Sequence, residues 1–128
     1  MNIIYKGILN ACSAFPEIRK DNIIQQDFVF PGSFAGFAGH FPGSPVLPAV
    51  VQLSLGILLS KKLVHPDVKN KMFFSAIDRA KFMRVILPEE KITATCTRKK
   101  EDGYSFDVVL KVNQENASMF RLDFFLKR

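Results

Sequence analysis

Three prolines and two glycines fall within ten residues, Gly39-His40-Phe41-Pro42-Gly43-Ser44-Pro45-Val46-Leu47-Pro48, directly before the least polar stretch of the chain. Such a density of proline and glycine fixes backbone dihedrals and removes amide donors, so the run reads as a rigid loop. One of the chain's two histidines sits inside it. From Ala49 to Leu63 the residues are almost all apolar or small, with no carboxylate among them. Pro48 is suited to a helix start, where its missing N–H costs nothing. The segment therefore predicts a helix buried on most sides rather than an amphipathic one. Lys61 and Lys62 fall in its last turn, where cations suit the helix dipole.

Around this helix the pattern is that of strands. Asn22 to Phe30 is β-branched and aromatic and ends at Pro31-Gly32-Ser33. Met72 to Ile77 and Ala80 to Leu87 read as two short strands or one long bent one. Ile92 to Arg98 alternates in the period of a half-buried strand. Glu101-Asp102-Gly103 is a hairpin signal. Tyr104 to Val112 sets Phe106, Val108, Leu110 and Val112 on one face, and Met119 to Lys127 does the same for Phe120, Leu122, Phe124 and Leu126. Asn113 to Asn116 separates those two strands as a turn. Met1 to Ala14 is ambiguous between helix and strand, and Phe15-Pro16-Glu17 reads as a connection. One buried helix followed by an antiparallel meander is an α+β pattern, and 128 residues suit one domain spanning 1–128 with one core.

Composition narrows the partners. Phe supplies 13 aromatic residues against two Tyr and no Trp, which suits a deep core or an apolar tunnel. The net charge of +6 favours an anionic partner. No helix-turn-helix pattern, zinc-finger spacing or aromatic RNP-like motif points to nucleic acid. Cys12 and Cys96 are far apart and form no CxxC pair, so neither a disulfide scaffold nor a zinc site is expected. No basic-then-apolar leader opens the chain, and no apolar run approaches the roughly 18 residues of a membrane span. The expectation is a soluble, cytoplasmic protein that does not engage membranes.

Two stretches resemble one known family. His40, Phe41, Pro42, Gly43, Pro45, Val46, Leu47 and Pro48 follow in order the signature of the FabA/FabZ-type 3-hydroxyacyl-acyl-carrier-protein dehydratases, which have the hotdog fold. Phe74 to Pro88, with Asp78, Arg79, Lys81, Phe82 and Arg84, is similar to a second segment of that family. The resemblance implies an antiparallel sheet wrapped around one long central helix. It also implies an acyl thioester on acyl carrier protein or CoA as substrate, no metal or redox cofactor, and a homodimer or trimer of dimers with the site across the dimer interface.

Dehydration of a 3-hydroxyacyl thioester needs a base for the carbon beside the carbonyl, an acid for the departing hydroxyl, and a donor for the carbonyl oxygen. Imidazole suits the base, since its ordinary pKa of about 6.5 lies near working pH. A helix N-terminal amide suits the oxygen. The resemblance places His40 as the base and the Ala49 N–H as the donor, where the family usually has glycine. It assigns substrate contacts to Gly43, Ala49 and Gln52. At the position of the family's catalytic Glu or Asp, fourteen residues after the histidine, this chain has Ser54. A serine hydroxyl is a poor general acid; it either holds a water or simply packs the helix.

Glu17, Asp27 and Asp78 are the carboxylates to inspect as substitutes, with Asp78 read as structural. The stretch Pro48 to Leu53 also has a short likeness to dehydratase-like proteins of specialised acyl chains such as aryl polyenes. The surviving alternatives are a thioesterase or a catalytically impaired acyl-binding subunit. Strand alternation sets Arg79 and Lys81 on one face, with Arg84 on the other beside Phe82, which points to the core. By resemblance, Arg79, Lys81 and Arg84 contact a carrier protein. Lys99 and Lys100 read as solvated, and His65 as a surface loop residue.

Overall fold

The computed structural model describes residues 2–37, 43–100 and 103–127. Its elements run α1 (Ile3–Cys12), β1 (Ile18–Lys20), β2 (Ile23–Val29), a 3-10 turn (Ala35–Phe37), α2 (Ala49–Lys62), α3 (Pro66–Lys69), β3 (Met72–Phe82), β4 (Lys91–Arg98), β5 (Ser105–Val112) and β6 (Glu115–Leu126). The six strands form one antiparallel sheet in the order β1-β2-β4-β5-β6-β3, and α2 packs on one face of it. This is the α+β hotdog architecture, with the sheet wrapped on a central helix.

The strand alternation anticipated from the sequence sets the core. Ile24 and Phe28 from β2, Ile92, Ala94 and Cys96 from β4, Phe106, Val108, Leu110 and Val112 from β5, and Phe120, Leu122 and Phe124 from β6 are all buried on the helix side. Leu126, expected with them, is 37% exposed at the last position of β6, although it still pairs with Met72. The turn before β6 is tighter than its sequence indicated. Asn113 and Gln114 alone make it, both with left-handed dihedrals (φ 52 and 66), and Glu115 already pairs with Val112. The Glu101-Asp102 part of the preceding hairpin signal lies outside the described residues.

The ambiguous N-terminal segment is the helix α1. Asn2 caps it by accepting from the Tyr5 N–H at 2.7 Å, and Ile8 and Ala11 are its buried residues. Pro66 opens the short helix α3, and His65 caps it, the Nδ1 accepting from the Asp67 N–H. His65 is thereby an exposed capping residue.

Three expectations are corrected here. First, α2 is not buried on most sides. Val51, Gln52, Leu55, Gly56, Leu59 and Ser60 are buried against the sheet, while Val50, at 68% exposure, and the half-buried Leu53, Ser54, Ile57 and Leu58 form an opposite apolar stripe. Both stripes are apolar, so sequence alone cannot separate them. Second, Phe82 is 48% exposed. It pairs with the buried Ser118 and so has the inner orientation, but β3 is an edge strand lying beyond the reach of the helix. Third, Arg79 and Lys81 do not share a face by simple alternation. Asp78 pairs with Arg121 and Lys81 with Met119, so β3 fits one extra residue there, and Arg79 sits in the left-handed region at φ 54. The bulge returns Lys81 to the outer face of Asp78. The segment read as Ala80 to Leu87 leaves the strand at Phe82, and two irregularities in β3 make it one bent strand.

Close approach of α2 to the sheet depends on Gly56. A methyl group there would stand 2.8 Å from Phe120 Cε2 and 3.0 Å from both Leu122 Cδ1 and Val108 Cγ2, crowded from three sides. Leu55 and Leu59, fully buried beside it, each contribute about 1.5–3 kcal/mol through burial. Gly56→Ala should therefore destabilise the protein by about 1–3 kcal/mol through overpacking, despite alanine's higher helix propensity. A lowered urea midpoint would confirm it, and an unchanged or raised midpoint would show that the helix seats elsewhere.

Candidate active site at the head of the central helix

His40 lies outside the described residues, so the geometry of the site is that of its frame. Gly43 follows at φ 86, a conformation that glycine adopts without strain, and a Cβ there would meet no neighbour among the described residues. Its glycine is required by the turn and not by crowding. The chain then runs extended through Leu47, whose N–H donates to the Ile86 carbonyl at 2.7 Å. This bond ties the tail of the histidine motif to the second family-like stretch, two segments that the sequence presents forty residues apart.

Pro48 is the N-cap of α2, with extended dihedrals and no side-chain cap. Its carbonyl accepts from both Val51 and Gln52 N–H groups. The N–H groups of Ala49 and Val50 donate to no other described residue. Two outward amides at the positive end of a fourteen-residue helix form a donor pair for a developing negative oxygen. Ala49 is exposed and helical, so its methyl group leaves that N–H available.

Gln52 is one turn further in and only 4% exposed. Its Nε2 donates to the Leu47 carbonyl at 3.1 Å, bracing the bend between loop and helix. Its Oε1 is buried and has no partner among the described residues. An orphaned buried acceptor is costly and marks a place where a donor is expected.

Ser54 projects from the opposite stripe. Its Oγ donates to the Val50 carbonyl at 2.8 Å, so its proton is committed to the helix backbone. It lines a cavity of about 270 Å³ with Tyr5, Ile57, Leu58 and Lys61. No carboxylate among the described residues lines that cavity.

The three alternative acids are placed elsewhere. Glu17 bridges Arg19 at 2.7 Å and Lys62 at 3.0 Å. Burial pushes its pKa up, but the hydrogen bonds from Lys62 and Arg19 outweigh this and hold it below the ordinary range. Glu17 is thus kept ionised, which unsuits it as an acid. Asp27 lies on the outer face of β2, accepting from Thr93 Oγ1 and paired with Lys91. Asp78 is exposed on the outer face of β3 and accepts from the Arg79 N–H.

The basic residues of the second stretch are also separated. Arg84 is bound at 2.7 Å to Glu90, whose other oxygen accepts from the Leu87 N–H, and reaches Glu115 at 3.7 Å. It braces the loop that carries Ile86 and so belongs to the frame. Arg79 lies 3.9 Å from Asp78, and Lys81 is exposed. Burial raises the Cys12 thiol and pushes the Cys96 thiol up to about 12, and both cysteines are free. Neither is poised as a nucleophile.

Sequence reasoning missed Tyr5 and the part played by Lys61. Lys61 repeats the face of Ser54, Ile57 and Leu58 and was legible as a helical stripe. Tyr5 arrives from another helix, which no local signal announces.

The sheet and its central helix define a hotdog protein. The chain belongs to the ApeI-like dehydratase family, whose model matches residues 17–120 under the description "ApeI dehydratase". Among curated proteins it is 32% identical over 99 residues to the FabZ 3-hydroxyacyl-acyl-carrier-protein dehydratase of Aromatoleum aromaticum, covering 71% of this chain and 68% of that protein. It is 40% identical to the FabZ of Coxiella burnetii over a shorter stretch of 63 residues, 44% of each chain. Among solved structures, the ApeI:P dehydratase heterocomplex of Xenorhabdus doucetiae aligns with a TM-score of 0.71 at 20% identity, covering 85% of this chain and 96% of that one. The PaaI protein of the E. coli phenylacetic acid degradation operon aligns with a TM-score of 0.66 at 15% identity, covering 97% and 88%. These structural likenesses are of fold.

The Gln52 carboxamide supplies a direct test of the frame. Gln52→Leu loses the bond to Leu47 and also removes the orphaned acceptor, so its stability should stay within about 1 kcal/mol of wild type. Gln52→Glu instead buries an ionisable group, raising that carboxyl's folded-state pKa. Its penalty should be small below about pH 4 and grow as pH rises. Urea titrations of the three proteins across pH would check both outcomes, and a Gln52→Glu protein insensitive to pH would mean that the side chain reaches solvent.

Proposed function

We propose that this chain dehydrates a 3-hydroxyacyl thioester carried on acyl carrier protein or CoA. The observation that carries this reading is the pair of amides at Ala49 and Val50 that donate to no described residue, set at the head of α2 nine residues after His40. The thioester oxygen accepts from the Ala49 N–H, which lowers the cost of removing the neighbouring proton. His40 takes that proton, and the carbon–oxygen bond breaks as electrons return from the enolate. The hydroxide leaves with a proton, giving water and the conjugated thioester. Gln52 supplies its free Oε1 to a donor of the bound substrate, and Gly43 allows the thioester to approach the backbone closely.

Ser54, with its proton given to Val50, does not deliver a proton directly. A water held in the cavity beside it is the acid we propose. This departure also favours a second reading, an acyl-binding subunit that needs an active partner.

The edge strand β3 presents Phe74, Ile77 and Phe82, and the chain beyond it presents Met83, Val85 and Leu87, all substantially exposed. An unpaired, apolar edge of this length is covered in stable proteins. We propose a second copy there, giving a homodimer, or three such dimers, with His40 and residue 54 of a site drawn from different subunits.

Ultraviolet absorbance of the conjugated product from a short 3-hydroxyacyl thioester tests the reaction. Wild-type turnover should fall by about 10²–10⁴-fold in His40→Ala, and Ser54→Glu should raise it by restoring a carboxyl acid. Silence of the wild type with activity in Ser54→Glu would favour the binding-subunit reading. Wild-type turnover unaffected by His40→Ala would remove the mechanism.

A further inference from the structure

Ser54 leaves the proposed reaction without a side-chain acid, and the lining of its cavity points to where the proton comes from. That cavity is bounded by Tyr5, Ser54, Ile57, Leu58 and Lys61. Ser54 has given its own proton to the Val50 carbonyl, so its oxygen can only accept from a guest in the cavity. Ile57 and Leu58 offer no polar side-chain atom. The donors left to this space are the Tyr5 hydroxyl and the Lys61 ammonium. Neither side chain is hydrogen-bonded or ion-paired to a described residue.

Tyr5 is held firmly although it comes from another helix. The Asn2 side chain accepts from its N–H at 2.7 Å and fixes the first turn of α1. Ile8 and Ala11 are buried beneath that helix. At Gly7 a methyl group would stand 2.6 Å from Phe34 Cε1 and 2.7 Å from its Cδ1, so α1 lies close on the body of the protein. The buried Gln26 donates to the Phe15 carbonyl at 3.1 Å and anchors the chain just past the helix. A ring for packing alone would be served by phenylalanine, which this chain uses 13 times against two tyrosines. Tyr5 is 42% exposed, so its hydroxyl can exchange protons with solvent. The helix also precedes the residues matched by the family model, and the resemblance gives it no role.

Acidity then decides what the phenol can do. Its ordinary pKa is about 10, against about 15.7 for water. A departing hydroxide is therefore protonated far more readily from a phenol than from water alone. A cation beside the phenol favours the phenolate that results. Lys61 stands two turns beyond Ser54, about 10 Å further along the axis, which suits a charge partner of Tyr5 better than a direct donor at the helix head.

We propose that Tyr5 is the source of the proton that Ser54 cannot supply, acting through the cavity water, with Lys61 as the cation that steadies the phenolate. The inference rests on the dehydration reading above and deepens it. As the carbon–oxygen bond breaks, the relay water gives one proton to the departing hydroxide and takes one from the Tyr5 hydroxyl. The product water leaves, the relay water is restored and Tyr5 is left as phenolate. The proton that His40 took from the carbon passes to solvent, and the phenolate regains one from solvent, so the site returns to its starting charge. Tyr5 works through the water and does not touch the substrate.

Ultraviolet kinetics with a short 3-hydroxyacyl thioester test this, with kcat and KM separated. The proteins are wild type, Tyr5→Phe, Lys61→Met, Lys61→Arg, Ser54→Glu and Tyr5→Phe/Ser54→Glu. Tyr5→Phe keeps the ring, so its urea midpoint and KM should match wild type while kcat falls by about tenfold or more. Lys61→Met should lose less, and Lys61→Arg should rescue the rate by keeping the cation. With Glu at position 54 a carboxyl delivers the proton, so the loss caused by Tyr5→Phe should shrink to less than about threefold. A full loss in that background would mark a structural effect and overturn the proposal, as would an unchanged kcat in Tyr5→Phe alone. An unchanged kcat in Lys61→Met would overturn the part given to Lys61. Silence of wild type with turnover in Ser54→Glu would overturn the relay and keep the dehydratase scaffold. Silence of both would remove the dehydration reading itself.

Discussion

Contact between the inner face of α2 and the sheet sets everything else in this molecule. Leu55 and Leu59 are fully buried in it, and Gly56 between them lies against Val108, Phe120 and Leu122 with no side chain to hold the helix away. Packing at this density leaves a helix one position along its axis, since sliding it would exchange filled contacts for voids. The head of α2 is consequently fixed relative to the strands. Leu47, bound to Ile86 on one side and to Gln52 on the other, carries that rigidity into the loop holding the histidine motif. An amide that is to meet developing charge, as proposed for Ala49, must hold its direction, and here that direction is inherited from the core.

Charge in this chain is used to tie segments together. Glu17 and Asp107 each tie two partners from different segments, and Glu90 holds Arg84 and the Leu87 N–H together within one loop. Asp107 illustrates the balance: burial alone would raise its pKa, but the hydrogen bonds of Arg121 and Lys99 lower it. The excess cations remain after these ties are made. The replacement of a carboxylate by Ser54 belongs to the same account. Its cavity is lined by Tyr5, Ile57, Leu58 and Lys61, with no carboxylate among the described residues, so on the proposed reading proton delivery there depends on water, in contrast to a side chain held at an elevated pKa.

Much of the architecture was legible from local chemistry. Alternation in β4, β5 and β6 identified their buried faces because a strand's side chains must take opposite sides. The Pro48 start and Lys61-Lys62 end of α2 were legible from backbone restriction and dipole. The histidine motif, the Ala49 amide and the loss of the acid at Ser54 were visible through family resemblance. The helix α1 was not, because its short apolar stripe suits either period. Nor was the bulge at Arg79, whose left-handed residue is not a glycine and gives no signal.

By itself, then, the sequence determined which residues alternate, where the helix starts, and that a lone imidazole precedes a helix lacking any carboxylate. Those are properties of neighbours along the chain, governed by dihedral restriction and side-chain period. Only the tertiary structure decided which apolar stripe of α2 meets the sheet, that Gln52 keeps a buried oxygen unpaired among the described residues, and that Phe82 stands on an edge strand. It alone also brought Tyr5 of α1 to the cavity of Ser54 and Lys61. Burial and the convergence of side chains depend on distances between segments remote in sequence, and those distances exist only once the helix has seated on the sheet.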